Sequence, residues 1–483
     1  MLRSTRGVAL ITLAMLNVFT LAAGVVLARM LPPRLALVKP VRVAARPDVR
    51  ASPVLGSASG GPMPTSSGLS SAVGSLLASP SLGSGVAVVV ADASGNIVYS
   101  QDGSEMTAPA STEKLATAIA ALDVLGPGAQ FRTRVVSGPG DSIVLVGGGD
   151  PTLAAGPAPS SDYPQPATLK DLAARTASAL KARHRRQVQL GYDVSLYTGP
   201  GMAPGWPESY VTSGDVTQIT ALEVDQGRLT PAGAPEDADD PVNFQPRSAD
   251  PVGMAVSAFE SFLTSDGIRV EGTPSPAATP ARAAVLGSVS SPSLSAMVEW
   301  MMLESNNVIA ENLARHIAIA MGDPASFSGG AAAETAVLRR LGAGSGVQLV
   351  DGSGLSPDDQ IAPDTLVRLL AAAGSPRHPT LRPAITGMPV AGFSGTLSAG
   401  QSVFGAIGGP ARGVVRAKTG NLTTVAAGNL TTVAALAGFA YDSDGRLLEF
   451  VFNAAHIPKP ASLQTAATAI NNAAKALASC GCR

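Results

Sequence analysis

Charge, aromatic side chains, histidine and cysteine are all scarce in this chain. Only 14% of its 483 residues are charged, 4% are aromatic and the net charge is −1. No basic stripe with interleaved aromatics is present, which argues against a nucleic-acid partner. The four histidines have no metal-ligand spacing, so no zinc site is expected. The two cysteines close the chain as Cys480-Gly481-Cys482-Arg483. Outside a reducing compartment two thiols are usually oxidised. A ring so small is strained, so a bond to a partner and a strained local bond are both open. An inert, frayed tail is more to be expected than a catalytic role. What the chain does have is apolar residues, 45% of the total, enough for a large core in two or three domains.

Residues Gly7 to Ala28 are apolar except at Thr12, Asn17 and Thr20, and Arg3 and Arg6 precede them. The span is long enough to cross a bilayer. Residues 1–29 therefore read as a signal peptide or an uncleaved signal anchor, and the weak cleavage candidate Ala22-Ala23-Gly24 favours the anchor. Arg29, Arg34, Lys39, Arg42 and Arg46 follow the span and by the positive-inside rule would hold that side in the cytoplasm, although long C-terminal domains translocate largely regardless of charge. Residues 30–81 are rich in Pro, Ser, Gly, Ala and Arg without periodicity, which predicts a disordered tether. A β-hairpin is expected next, from Gly85–Asp92 and Ile97–Tyr99 around Ala93-Ser94-Gly95-Asn96.

Three short stretches carry chemistry. Ser111-Thr112-Glu113-Lys114 opens a helix, with Pro109 ahead, the apolar run Leu115–Leu125 behind, and Gly126-Pro127-Gly128 as its stop. Ser111 and Lys114 share a face. A serine hydroxyl needs a base within reach, and a lysine serves if burial or a second cation lowers its pKa. Alone, the tetrapeptide is better read as a capping serine and a solvated lysine, because Ser-x-x-Lys is common by chance. The second stretch is Ser305-Asn306-Asn307, inside helical texture from Ser293 to Met321. Asparagine pairs are poor in mid-helix, which suggests a polar cluster placed for a ligand. The third is Lys418-Thr419-Gly420 at the end of a strand from Val414, with apolar strands Val433–Ala440 and Leu447–Asn453 and a helix Ser462–Ala478 after it. Elsewhere Thr168–Ala182 predicts an amphipathic helix. Its basic end, Lys181–Arg186, suits a helix C-terminus and a solvated loop, with an anionic cell-surface polymer as the lesser reading.

Ser-x-x-Lys, Ser-x-Asn and Lys-Thr-Gly, in that order, are the signature set of penicillin-recognising serine enzymes. From Val86 to Ala478 the chain resembles the D-alanyl-D-alanine carboxypeptidase/endopeptidase family, the class C low-molecular-mass penicillin-binding proteins. Gly147-Gly148-Gly149-Asp150-Pro151, Asp351-Gly352-Ser353-Gly354-Leu355-Ser356 and Gly395-Thr396-Leu397 add to the resemblance. It implies an α+β fold, a β-lactamase/transpeptidase-like antiparallel sheet packed with helices. The catalytic domain would be discontinuous, residues 82–137 and 286–483, with residues 138–285 inserted between the first two motifs. It also implies a peptidase trimming stem peptides that end in D-Ala-D-Ala, acylated by β-lactam antibiotics and needing no metal or organic cofactor. That chemistry needs an outside substrate, so the N-terminal segment is expected to anchor the enzyme in the cell envelope outside the membrane or to be cleaved and leave it secreted there. By that resemblance Ser111 is the nucleophile, Lys114 its base, with its pKa lowered by Lys418, and Ser305 a proton relay. Asn307, Lys418, Thr419, Gly420 and Asn421 would bind substrate, with the N–H groups of Ser111 and Asn421 as the oxyanion hole. The alternatives are a cell-wall scaffold that has lost its site, or a β-lactamase.

One departure from the family pattern stands beside the third motif. Gly420-Asn421-Leu422-Thr423-Thr424-Val425-Ala426-Ala427 is repeated at once as residues 428–435. Eight is even, so face alternation survives. The expectation is that the extra copy loops out of a hairpin and leaves Lys418, Thr419 and Asn421 in place; the alternative is a slipped pairing that puts Gly428-Asn429 opposite Ser111 and loses Thr419 and the oxyanion donor.

Overall fold

The computed structural model describes residues 61–160, 163–229, 245–398, 402–426 and 429–483. The apolar span Gly7–Ala28 and the tether up to residue 60 lie outside them, and among the described residues no helix is long and apolar enough to cross a membrane.

In chain order the elements used below are α1 (Ser66–Leu77), β1 (Val86–Asp92), β2 (Ile97–Gln101), α2 (Lys114–Leu125), β3 (Arg132–Ser137), β4 (Ser142–Val146), α3 (Leu169–Lys181), β5 (Gln187–Asp193), α4 (Pro251–Ser265), β6 (Arg269–Val270), β7 (Val285–Ser290), α5 (Leu294–Glu304), α6 (Asn307–Met321), α7 (Phe327–Arg340), α8 (Pro363–Gly374), β8 (Val415–Ala426), β9 (Asn429–Tyr441), β10 (Leu447–Ala454) and α9 (Leu463–Ser479). The main sheet is antiparallel, in the order β8-β9-β10-β1-β2, so strands from both ends of the chain meet in it.

Both faces of this sheet are covered, and that explains why β1 is apolar at Val86, Ala87, Val88, Val89, Val90 and Ala91 rather than alternating. Val89, Ala91, Ala437, Phe439 and Val451 face a core built with α2, α5, α6, α7 and α8. Val86, Val88, Val90, Leu436, Phe450 and Phe452 face α1 and α9. A second, six-stranded mixed sheet runs β6-β5-β4-β3-β7, with Ser275–Pro276 also paired to β5, and is packed by α3 and α4. β3 and β7, the strands bordering the expected insertion, pair with each other inside this sheet.

Two expectations are corrected. The tether does not extend to residue 81, because α1 forms with Thr65 as its N-cap. Leu69, Val73 and Leu77 recur every four residues and are fully or almost fully buried, each contributing about 1.5–3 kcal/mol. The surrounding serines and glycines hid that stripe. The C-terminus is not frayed either: Thr65 N donates to Cys482 O at 2.7 Å, Ser443 N to Cys480 O at 3.2 Å, and Arg483 pairs with Asp444 at 3.0 Å. Cys480 and Cys482 are joined to each other.

Candidate active site

A 3₁₀ turn, Ala110–Glu113, leads into α2. Ala110 holds φ at +46° just before Ser111. Its carbonyl is pressed by Gly354, where a Cβ would lie 2.0 Å from the Ala110 oxygen. Ser111 is 8% exposed and opens to a cavity of about 300 Å³; Lys114, one turn on, is fully buried beneath it. Lys114 Nζ lies 2.8 Å from Ser111 Oγ, 2.6 Å from Asn307 Oδ1 and 2.7 Å from the Ser353 carbonyl. The Asn307 amide is oriented by its own Nδ2, which donates to Asp215 O at 2.8 Å.

These partners settle what a neutral lysine would do. Two of them are carbonyl oxygens, which only accept, and an uncharged amine has two N–H groups and one lone pair. The lone pair is therefore left for the one partner that can donate, the Ser111 hydroxyl. Burial pushes the Lys114 pKa down to about 8, against the opposing pull of Asp351, Glu311 and Glu113. The expected cause was the like charge of Lys418. The largest cause is desolvation, because the ammonium is shut from water.

Lys418 forms a second serine–lysine pair: its Nζ donates to Ser305 Oγ and to Thr419 O, both at 2.8 Å. Ser305 sits at φ +57°, where α5 ends and α6 begins. The asparagines are thus not in mid-helix; the helix breaks there. Asn306 caps α6, accepting from Ile309 N at 3.0 Å, and donates to Gln226 Oε1 at 2.9 Å. Thr419 donates to Thr396 Oγ1 at 2.8 Å. Gly420 is required by close approach, since a Cβ there would meet Pro109 O at 2.8 Å. Ser111, Ser305, Asn307, Thr419 and Asn421 line one cavity together, while Lys114 and Lys418 stand behind it.

The main chain of β8 has a defined outer side. Val415 O accepts from Ala391 N at 2.9 Å and Ala417 N donates to Pro389 O at 3.0 Å, both away from β9. Pairing to β9 is uninterrupted from Val415 to Ala426, so odd-numbered residues keep pointing their N–H and C=O groups outward. Asn421 N–H is one of these.

Residues with no distinctive sequence signal also shape the site. The loop after Asp351 is wound around that carboxylate, which accepts from Ser353 N, Gly354 N, Ser356 N and Trp206 Nε1 at 2.7–2.9 Å. This winding presents the Ser353 carbonyl to Lys114. The loop itself stood out as a motif; Trp206, Asp215 and Gln226 did not. Beneath lie Glu113, Glu311, Glu334 and Asp359, all fully buried, with Arg315 beside Glu311 at 3.7 Å. Oxygens of Glu113, Asp351 and Asp359 come within 4.8 Å of one another. Burial and mutual repulsion push Glu113 and Asp359 well above the usual carboxylate range.

The duplication neither loops out nor slips. Its two copies pair with each other as the arms of one hairpin, Gly420 facing Ala435 and Ala426 facing Asn429. Lys418 faces Ala437 within the regular part of the sheet.

The sequence profile of the D-Ala-D-Ala carboxypeptidase 3 (S13) family matches residues 69–245 and 232–477. The chain is 35% identical over 426 residues to carboxypeptidase DacB of Mycolicibacterium smegmatis, covering 87% of this chain and 86% of that one. It is 30% identical over 489 residues to the D-alanyl-D-alanine carboxypeptidase of an Actinomadura species, covering 86% of each. In fold it is similar to penicillin binding protein 4 (dacB) of Haemophilus influenzae, with a TM-score of 0.65 and 22% identity over 85% of this chain and 98% of that one.

Proposed function

The chain belongs to the D-Ala-D-Ala carboxypeptidase 3 (S13) family and is a serine-type D-Ala-D-Ala carboxypeptidase, and on that premise we propose that Ser111 is the residue it acylates. Neutral Lys114 takes the Ser111 proton as Oγ attacks the carbonyl of the penultimate D-alanine. Ser305, held by Lys418, gives its hydroxyl proton to the departing D-alanine and is reprotonated by Lys114, which is then neutral again. The substrate carboxylate lies against Lys418 and Thr419, and the Ser111 and Asn421 N–H groups meet the oxyanion, each worth about 3 kcal/mol in the transition state. Water then releases the acyl group. The observation that carries this reading is the set of Lys114 partners, in which Ser111 is the one able to donate.

The substrate is the peptidoglycan stem peptide, and β-lactams acylate the same serine. The enzyme works in the cell envelope, and residues 7–28 hold it there as an uncleaved anchor. The inserted domain, expected at residues 138–285, extends from β3 to β7, a reading supported by the pairing of those two strands inside its sheet; its Asp215 and Gln226 brace the asparagines of the second motif.

The test is fluorescent penicillin labelling with peptide mapping, alongside release of D-alanine from a pentapeptide. The adduct should map to Ser111, and Lys114→Arg should abolish both reactions because an arginine does not surrender its proton. An adduct elsewhere, or normal labelling of Lys114→Arg, would overturn the assignment.

A further inference from the structure

Removing one copy of the octapeptide would join Leu422 to Val433 through Thr-Thr, a two-residue hairpin loop. Every pairing from Val415–Ala440 up to Leu422–Val433 would stay as it is. The repeat therefore adds four rungs at the tip, Thr423–Thr432, Thr424–Thr431, Val425–Leu430 and Ala426–Asn429, and about 13 Å of strand. Nothing nearer the nucleophile has to move.

These rungs lengthen an edge. β8 is the outermost strand of its sheet. The alternation fixed by Val415 and Ala417 turns the N–H and C=O of Thr423 and Val425 to the same outer side as Asn421. In a single-copy hairpin Thr423 would be a turn residue and Val425 would not exist. Both are exposed here, Val425 to 60%. Proteins usually guard such an edge with charge, proline or a bulge; the segment Asn421-Leu422-Thr423-Thr424-Val425-Ala426 has none of these. The edge is also continuous with the site, since Asn421, Leu422 and Thr423 line the cavity that holds Ser111.

We propose that the duplicated octapeptide builds an additional subsite, in which the part of the peptide substrate N-terminal to D-Ala-D-Ala adds to β8 as an extended strand, main chain to main chain with Thr423 and Val425. The proposal rests on the orientation proposed above: carboxylate at Lys418 and Thr419, scissile carbonyl at Asn421, hence preceding residues at 423 and 425. Strand addition takes its affinity from backbone hydrogen bonds. One or two of these at net worth amount to about tenfold in kcat/KM.

The experiment compares the full chain with a variant lacking residues 428–435, on penicillin, on an N-acyl-D-Ala-D-Ala dipeptide and on a stem pentapeptide. Expected is unchanged penicillin acylation and dipeptide hydrolysis, with kcat/KM for the pentapeptide reduced about tenfold through KM. Val425→Pro should reproduce part of that selective loss, because it removes an N–H that faces away from β9 and leaves the hairpin ladder intact. Equal effects on dipeptide and pentapeptide would overturn the subsite, as would lost penicillin acylation in the deletion variant. So would a dimer that dissociates on deletion while pentapeptide selectivity is unchanged, since the edge would then serve a second copy of the chain. Failure of the underlying reading is seen separately, as absence of a Ser111 adduct in the unaltered enzyme.

Discussion

Replacing Asn307 by aspartate tests the basis of the mechanism, the placement of the Lys114 lone pair. With a pKa near 8, about 9% of Lys114 is neutral at pH 7 and about 91% at pH 9, so acylation should rise roughly tenfold across that interval and level off. The sign follows from the role: a base works in its deprotonated form, so rate is lost as pH falls through its pKa. Asn307 Oδ1 is 2.6 Å from Nζ. A carboxylate in that position favours the ammonium and raises a lysine pKa by about 1–3 units. The acid limb of Asn307→Asp should then sit at least one unit higher, and acylation at pH 7 should fall at least about tenfold. The variant also loses the bond from Nδ2 to Asp215 O, which lowers the plateau but does not move the limb. Single-turnover acylation by a chromogenic cephalosporin, followed by stopped flow from pH 6 to 10, measures both. A wild-type rate flat from pH 6 to 9, or an unmoved limb in the variant, would refute the reasoning.

Three further outcomes follow from the packing. Gly354→Ala should lower the melting temperature and slow acylation at least about tenfold, because its Cβ would meet Ala110 O at 2.0 Å and Gly354 holds φ at +79°, a backbone region that already costs about 1 kcal/mol for alanine; a wild-type melting curve would count against it. Glu113→Gln should gain stability relative to wild type as pH rises from 5 to 8. The Glu113 pKa is raised in the folded state, so the wild type is favoured at low pH and loses stability above the unfolded value; a melting difference independent of pH would dismiss this. Trp206→Phe removes a 2.7 Å bond to the Asp351 carboxylate and should cost about 1.5–3 kcal/mol, with slower acylation as the Ser353 carbonyl loosens. Denaturant unfolding measures the first effect, and an unchanged midpoint would show that Asp351 holds the loop without Trp206.

Local chemistry was legible in the sequence wherever a few consecutive residues dictate it. Helix α2 was marked by Pro109 and Gly126, β1 by its valine run, and the pairing of Ser111 with Lys114 by three-residue spacing on one turn. The presence of three motifs in order was likewise a property of the chain alone, and it carried the fold class. Everything that depended on partners distant in sequence was not legible. The break at Ser305 was hidden because residues on both sides favour helix, and what turns the chain there is capping by Asn306 together with Gln226, 80 residues away. The burial that lowers the Lys114 pKa was not legible from sequence, because desolvation depends on how many segments close over a group, and those come from α2, α6 and the loop after Asp351. The octapeptide repeat shows the division most plainly. The sequence determined that it exists and that its even length preserves face alternation. Only the tertiary structure decided that the two copies pair with each other, because register is set by β9 lying between β8 and β10, whose pairings anchor both arms before the repeat begins.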